Sequence, residues 1–140
     1  VPYGTVLTAA DGTRLVLAVG SDRQFEHLMV ALGRPEAAHD ARFRTNPARV
    51  RHRRQVNELL GALIGRANGA ELLAELEKRH VPAGAVRDVA QALAAPEAAP
   101  LLLHNPETGR AGGVRTAVFR LDGEALQVPL APPPALPKVS

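Results

Sequence analysis

An α+β fold is predicted for this 140-residue chain. Three observations carry the prediction. Short strand-like runs at both ends turn on Asp-Gly pairs, amphipathic helical periodicity fills the middle, and the length suits one domain around one core. The expected architecture is a small antiparallel sheet from N- and C-terminal hairpins, packed with three main helices and short helical turns. Residues 1–130 are read as the domain and 131–140 as a proline-rich linker or tail.

The first hairpin is Thr5–Thr8 and Arg14–Val19 about Asp11-Gly12. Arg14-Leu15-Val16-Leu17-Ala18-Val19 is almost continuously apolar, which predicts a strand buried on both faces. Ser21 is the expected N-cap of a first helix, with Gln24 completing a capping box. Phe25, Leu28, Met29 and Leu32 form its apolar face. Gly33 ends it and Pro35 prevents resumption.

A second helix is predicted from Asn46-Pro47, a cap followed by Pro at the first position, to about Arg66. Val56, Leu59, Leu60 and Leu63 are its buried stripe. Asn68 caps a third helix, with Glu71 at the capping-box position, Leu72, Leu73 and Leu76 inward, and Lys78, Arg79 and His80 suited to its C-terminal dipole.

Val81–Val86 reads as an extended, turned connection. Asp88 caps a short helix over Val89–Leu93, and Ala94–Leu103 is expected to form another, interrupted by Pro100. Gly109–Gly113 reads as loop. A second hairpin, Val114–Leu121 with Ala125–Val128, turns on Asp122-Gly123. Pro129–Pro137 should be extended.

Composition narrows the function. At 46% apolar the chain can fold. It has no cysteine, which removes disulfides, thiolate catalysis and cysteine metal sites and fits a cytoplasmic setting. No apolar run reaches the roughly 20 residues of a membrane span. The start, Val-Pro-Tyr-Gly, has neither an initiator Met nor a signal pattern, so the chain is expected to be cut from something longer.

No Gly-rich phosphate loop precedes a helix. The histidines (His27, His39, His52, His80, His104) lack metal-ligand spacing, so no metal is expected, and His27 is placed on a solvent-exposed face. Ser21 is better used as a cap than as a nucleophile. No acid–base pair stands out.

Charge is concentrated instead. Residues 41–57 carry six arginines and no acid, which leaves a net −3 over the remainder of a +3 chain. Arg49 and Arg53 fall on the side of the buried stripe, which suits internal ion pairs, with Asp40 as a candidate partner. Arg51 and Arg54 point elsewhere. Three readings of Arg42–Arg54 stay open: a solvated or internally paired face, a site for a small phosphate-bearing ligand, or a basic nucleic-acid-binding module. The last is disfavoured, because no recognition module or aromatic platform accompanies the arginines.

Five ordered segments carry a family resemblance. They are Pro2-Tyr3-Gly4 with Thr8–Gly12, Ala18–Phe25, Leu32–Glu36, Asp40–Asn46 with Arg49-Val50, and Val81–Val86. Together they resemble the smaller domain of family III coenzyme A-transferases, the group that includes formyl-coenzyme A transferase, carnitine-related transferases and α-methylacyl-coenzyme A racemase.

The resemblance implies a cytoplasmic bacterial enzyme that moves coenzyme A between carboxylic acids. Its nucleophilic aspartate would lie outside this chain, in a large coenzyme A-binding domain of the same protein, and the full enzyme would be a homodimer. It also implies a coenzyme A thioester as substrate and no covalently bound cofactor. A racemase is the alternative within the group. Tyr3 and Gly4 would lie nearest the active-site edge. Asp40, Phe43, Asn46, Arg49, Arg53, Pro82 and Gly84 would be structural motif residues. The segment alone would be inactive.

Overall fold

The computed structural model describes residues 4–105, 108–114, 120–121 and 124–125. The tail from residue 126 and Tyr3 lie outside them. The α+β class holds: helices and short antiparallel strands share the chain. Two compact units are present, residues 1–86 and 87–140.

The first unit opens with β1 (Leu7–Thr8) and β2 (Arg14–Leu17), antiparallel with Leu7 opposite Leu15. The turn is built by Asp11 and Gly12. Asp11 Oδ1 accepts from the Thr13 amide at 3.0 Å, and Gly12 takes φ +83°, where a side chain would be strained. In β2, Leu15 and Leu17 are buried while Val16 is 38% exposed. The expected burial on both faces does not occur, because the sheet has one face on the core and the other in solvent.

Helix α1 (Asp22–Ala31) carries the predicted capping box. Ser21 Oγ accepts from the Gln24 amide at 3.1 Å, and Gln24 Oε1 accepts from the Ser21 amide at 3.1 Å. Its C-terminus is a Schellman turn. The Arg34 amide reaches Met29 O at 2.8 Å and the Gly33 amide reaches Val30 O at 3.0 Å, with Gly33 at φ +69°. A 3₁₀ turn at Pro35–His39 follows.

The long second helix is instead two: α2 (Asn46–Arg51) and α3 (Arg53–Ile64), broken at His52. No Gly or Pro marks the break. The cap is Thr45 rather than Asn46, since Thr45 Oγ1 accepts from the Ala48 amide and Asn46 is already helical.

Helix α4 (Gly69–Lys78) is capped by Asn68, whose Oδ1 accepts from the Glu71 amide at 3.1 Å. Asp11 Oδ2 also accepts from the Gly69 amide at 2.9 Å, so the first turn of the chain is tied to the start of α4. A Cβ on Gly69 would overlap Thr13, so only Gly allows this approach. The helix ends in a second Schellman turn, with His80 at φ +55° where Gly is usual.

Strand β3 (Ala83–Ala85) then pairs antiparallel with β2, Leu15 opposite Ala85 and Leu17 opposite Ala83. The N-terminal hairpin thus takes its third strand from the segment read as a connection, in the order β1-β2-β3. Leu15, Val19, Phe25, Leu28, Met29, Val56, Leu60, Ile64 and Leu76 make the core of this unit.

The second unit holds α5 (Val89–Leu93), capped by Asp88 in a capping box with Gln91, and a 3₁₀ turn at Pro96–Leu101. Strands β4 (Leu102–His104) and β5 (Ala111–Val114) pair antiparallel, so Leu102–His104 is strand and not helix, and residues 111–113 are strand and not loop. Pro96 opens this turn and Pro100, which has no N–H to donate to the carbonyl four residues back, prevents an α-helix from continuing through it. Strands β6 (Arg120–Leu121) and β7 (Glu124–Ala125) flank the predicted Asp-Gly turn and pair with each other.

Candidate functional site

The segment from Asp40 to Arg54 is the part of the first unit with the most chemistry. Asp40 follows the 3₁₀ turn, and its backbone carbonyl accepts from the Phe43 and Arg44 amides at 2.8 and 2.9 Å. Its carboxylate accepts from the Arg42 amide at 2.9 Å and from Arg42 Nη2 at 2.6 Å. The Arg42 side-chain hydrogen bond, and then its amide, hold the Asp40 carboxyl down to about 2, and Arg42 is correspondingly raised. The Arg42 guanidinium lies 5.0 Å from the centroid of the Phe43 ring, which is itself buried.

Arg49 is fully buried. Its Nη1 donates to the Phe43 carbonyl at 2.8 Å, its Nη2 donates to Asp22 Oδ1 at 2.8 Å, and its guanidinium stacks 4.5 Å from the Phe25 ring centroid. Asp22 stands at the first position of α1, 27 residues away in sequence, and its side chain is 48% exposed. Arg49 thereby pins α2 to α1 and to the loop before α2. Its partner is Asp22 and not Asp40, which Arg42 occupies. Arg49 Nε and Asn46 Oδ1 are buried without a hydrogen bond among the described residues.

Arg53 is exposed and makes no ion pair among the described residues. Gly4 is exposed ahead of β1. The Pro82 carbonyl accepts from the Ala18 amide at 2.9 Å, and Gly84 sits in β3 opposite Val16. His27 is half-buried and not solvent-facing: its Nδ1 lies 3.0 Å from the Arg79 carbonyl, linking α1 to the C-terminal end of α4.

Sequence reasoning missed Asp22 as an ion-pair partner and His27 as a bridge. Neither has a local signal, since each contact spans more than 20 residues. Among the described residues, no group of three or more His, Asp or Glu could hold a metal ion. The hydrogen bonds of His27 and His52 go to a carbonyl and an amide oxygen, not to a hydroxyl or carboxylate that they could activate. What the described side chains do is tie elements together: Arg49 joins α2 to α1, His27 joins α1 to the end of α4, and Asp11 joins the first hairpin to the start of α4.

Known proteins place this scaffold. The profile of CoA-transferase family III matches residues 1–137. The chain belongs to that family.

Relatives bear the family's name. The succinate–glutarate CoA-transferase of Agrobacterium fabrum is 40% identical over 96 residues, covering 69% of this chain and 24% of that protein. The succinyl-CoA–D-citramalate CoA-transferase of Chloroflexus aurantiacus is 29% identical over 108 residues, covering 74% of this chain and 27% of that protein. The chain thus spans about a quarter of the length of the curated relatives it matches.

Solved structures agree. A CAIB/BAIF family protein from Brucella suis superposes with TM-score 0.73 at 36% identity, covering 90% of this chain and 32% of that one. An M. tuberculosis protein shares the fold with TM-score 0.76 at 19% identity, over 87% of this chain and 35% of that one. No helix among the described residues is long and apolar enough to cross a membrane.

Proposed function

We propose that residues 1–130 are the smaller domain of a family III enzyme that transfers coenzyme A between carboxylic acids. What carries the reading is coverage together with kinship. The family profile spans almost the whole chain, while the relatives, named for CoA transfer, are about four times longer than the matched segment.

In the proposed chemistry a carboxylate nucleophile, an aspartate outside this chain, attacks the acyl-coenzyme A carbonyl and expels the coenzyme A thiolate, leaving a mixed anhydride. The thiolate then attacks the enzyme carbonyl of the anhydride, which releases the donor acid and leaves an aspartyl thioester. The acceptor acid repeats the sequence in reverse. Water would destroy the anhydride, so a domain that covers the cleft protects the intermediate and shapes the acyl pocket. Tyr3 and Gly4 are the residues of this chain assigned to the edge of that cleft, and coenzyme A thioester is the substrate. The partner is the large coenzyme A-binding domain of the same protein, in a cytoplasmic homodimer.

The relatives' names favour transfer over racemisation. Internal pairing of Arg42 and Arg49 argues against a continuous basic face for nucleic acid.

A chimera tests the reading. The matched quarter of the Agrobacterium enzyme is replaced by this chain, and coenzyme A transfer from succinyl-coenzyme A to glutarate is followed. A folded but inactive chimera counts against the reading. The 140-residue protein alone is expected to show no turnover with any acyl-coenzyme A donor, and a rate above a boiled control would refute that part.

A further inference from the structure

The break between α2 and α3 opens a hollow of about 230 Å³ lined by Arg51, His52, Arg54 and Gln55. We propose that this hollow binds a phosphate group. Two guanidinium groups and an imidazole line it, with no carboxylate among them. Arg51 ends α2, while Arg54 and Gln55 lie in the first turn of α3, so the break at His52 brings the two helix ends together around the hollow.

The other arginines of the cluster sharpen the contrast. Arg42 is held by Asp40 and Arg49 by Asp22. Arg54 approaches Glu58 only at 3.7 Å, and both side chains are largely exposed, so that pair is weak and easily exchanged for a stronger anion. Gln55 Oε1 accepts a hydrogen bond from His52 Nδ1 at 2.8 Å, so Nε2 donates to a phosphate oxygen only when the ring is the imidazolium. Asp40, on which the His52 charge acts, is held by Arg42 at 2.6 Å.

Planar guanidinium forks suit the paired oxygens of a tetrahedral oxyanion, and a dianion gains more from them than a carboxylate does. Coenzyme A carries such a group as its phosphate monoester, and free phosphate is the other source. The coenzyme A source rests on the function proposed above; phosphate binding itself does not.

The test is an amide and side-chain NMR titration of the full 140-residue chain at fixed ionic strength. Inorganic phosphate is expected to give saturable shifts confined to Arg51, His52, Arg54 and Gln55. Arg51→Gln with Arg54→Gln should weaken binding at least tenfold, and Arg53→Gln should leave it unchanged. Coenzyme A binding tenfold tighter than dephospho-coenzyme A identifies the monoester as the source, whereas equal binding of those two beside saturable inorganic phosphate identifies free phosphate. Should the double variant not fold, competition on the native chain decides: sulfate displaces phosphate and acetate does not.

The proposal is overturned if no shift saturates, or if shifts spread equally to Arg44 and Arg53. It is also overturned if acetate competes as well as sulfate, or if a single-stranded oligonucleotide binds with the double variant unaffected. An inactive chimera with phosphate binding intact would remove the transferase reading alone.

Discussion

Arg49→Ala should be among the most damaging single changes in the first unit. The side chain is fully buried, and three interactions end with it. Loss of two buried methylenes costs roughly 1.6 kcal/mol at about 0.8 each. The Phe43 carbonyl loses its charged donor, at about 1–3 kcal/mol. The stacked cation over Phe25 contributes about 1–2 kcal/mol more. Against these stands relief from desolvating a guanidinium, while Asp22, half in water, is rehydrated at little cost. The net expectation is a loss of about 3 kcal/mol. Arg49→Met keeps the apolar stem against Phe25 and should lose about half as much. Arg53→Ala, at an exposed site, should fall within about 0.5 kcal/mol of the native chain. Urea unfolding followed by far-UV circular dichroism reads all three. If Arg49→Ala costs no more than Arg53→Ala, or if Met is as harmful as Ala, the argument for a packed internal cation fails.

Gly69→Ala should destabilise by about 1–3 kcal/mol, because its Cβ would drive Thr13 and the first hairpin off the start of α4; thermal melts check it. Gly33→Ala, at φ +69° in open space, should cost about 1 kcal/mol by strain alone, whereas His80→Gly should not destabilise despite removing a side chain. The Asp40 carboxyl should titrate near 2 by ¹³C NMR and return towards 3.8 in Arg42→Ala. Its pKa is lowered on folding, so the stability it gives is complete above the unfolded value of 3.8 and is lost as pH falls towards 2. A shallower loss of stability over that window in Arg42→Ala than in the native chain is the expected signature, the remaining slope coming from Asp11 and Glu36, which are also lowered.

Much of the first unit could be read from residues one turn apart. Ser21 with Gln24, Asn68 before α4, Gly33 after α1 and the leucine stripes are local rules, and the structure obeys them. Three features were beyond such rules. Ala83-Gly84-Ala85 has no strand propensity, and it becomes a strand only because β2 offers it an unpaired edge. The break at His52 resets helical phase between Arg49 and Arg53. Arg49 therefore enters the core, while Arg53, four residues on and expected beside it, turns outward. The pairing of Arg49 with Asp22 also needed the tertiary fold, since 27 residues separate them. Tyr3 lies outside the described residues, and Gly4 is exposed ahead of β1.

The β2–β3 pairing also bears on how the chain reaches its native state. Positions 15 and 85 meet, so β2 gains its second neighbour only by closing a loop of about 70 residues. Closing a loop of that length costs roughly 4 kcal/mol of chain entropy, recovered only when β3 docks. Because β3 has almost no side chain to contribute, that docking is chiefly backbone hydrogen bonding. Until then Leu15 and Leu17 lie on an open edge. A nascent or shortened chain that stops before residue 83 would present that edge to its neighbours and be prone to stack rather than fold.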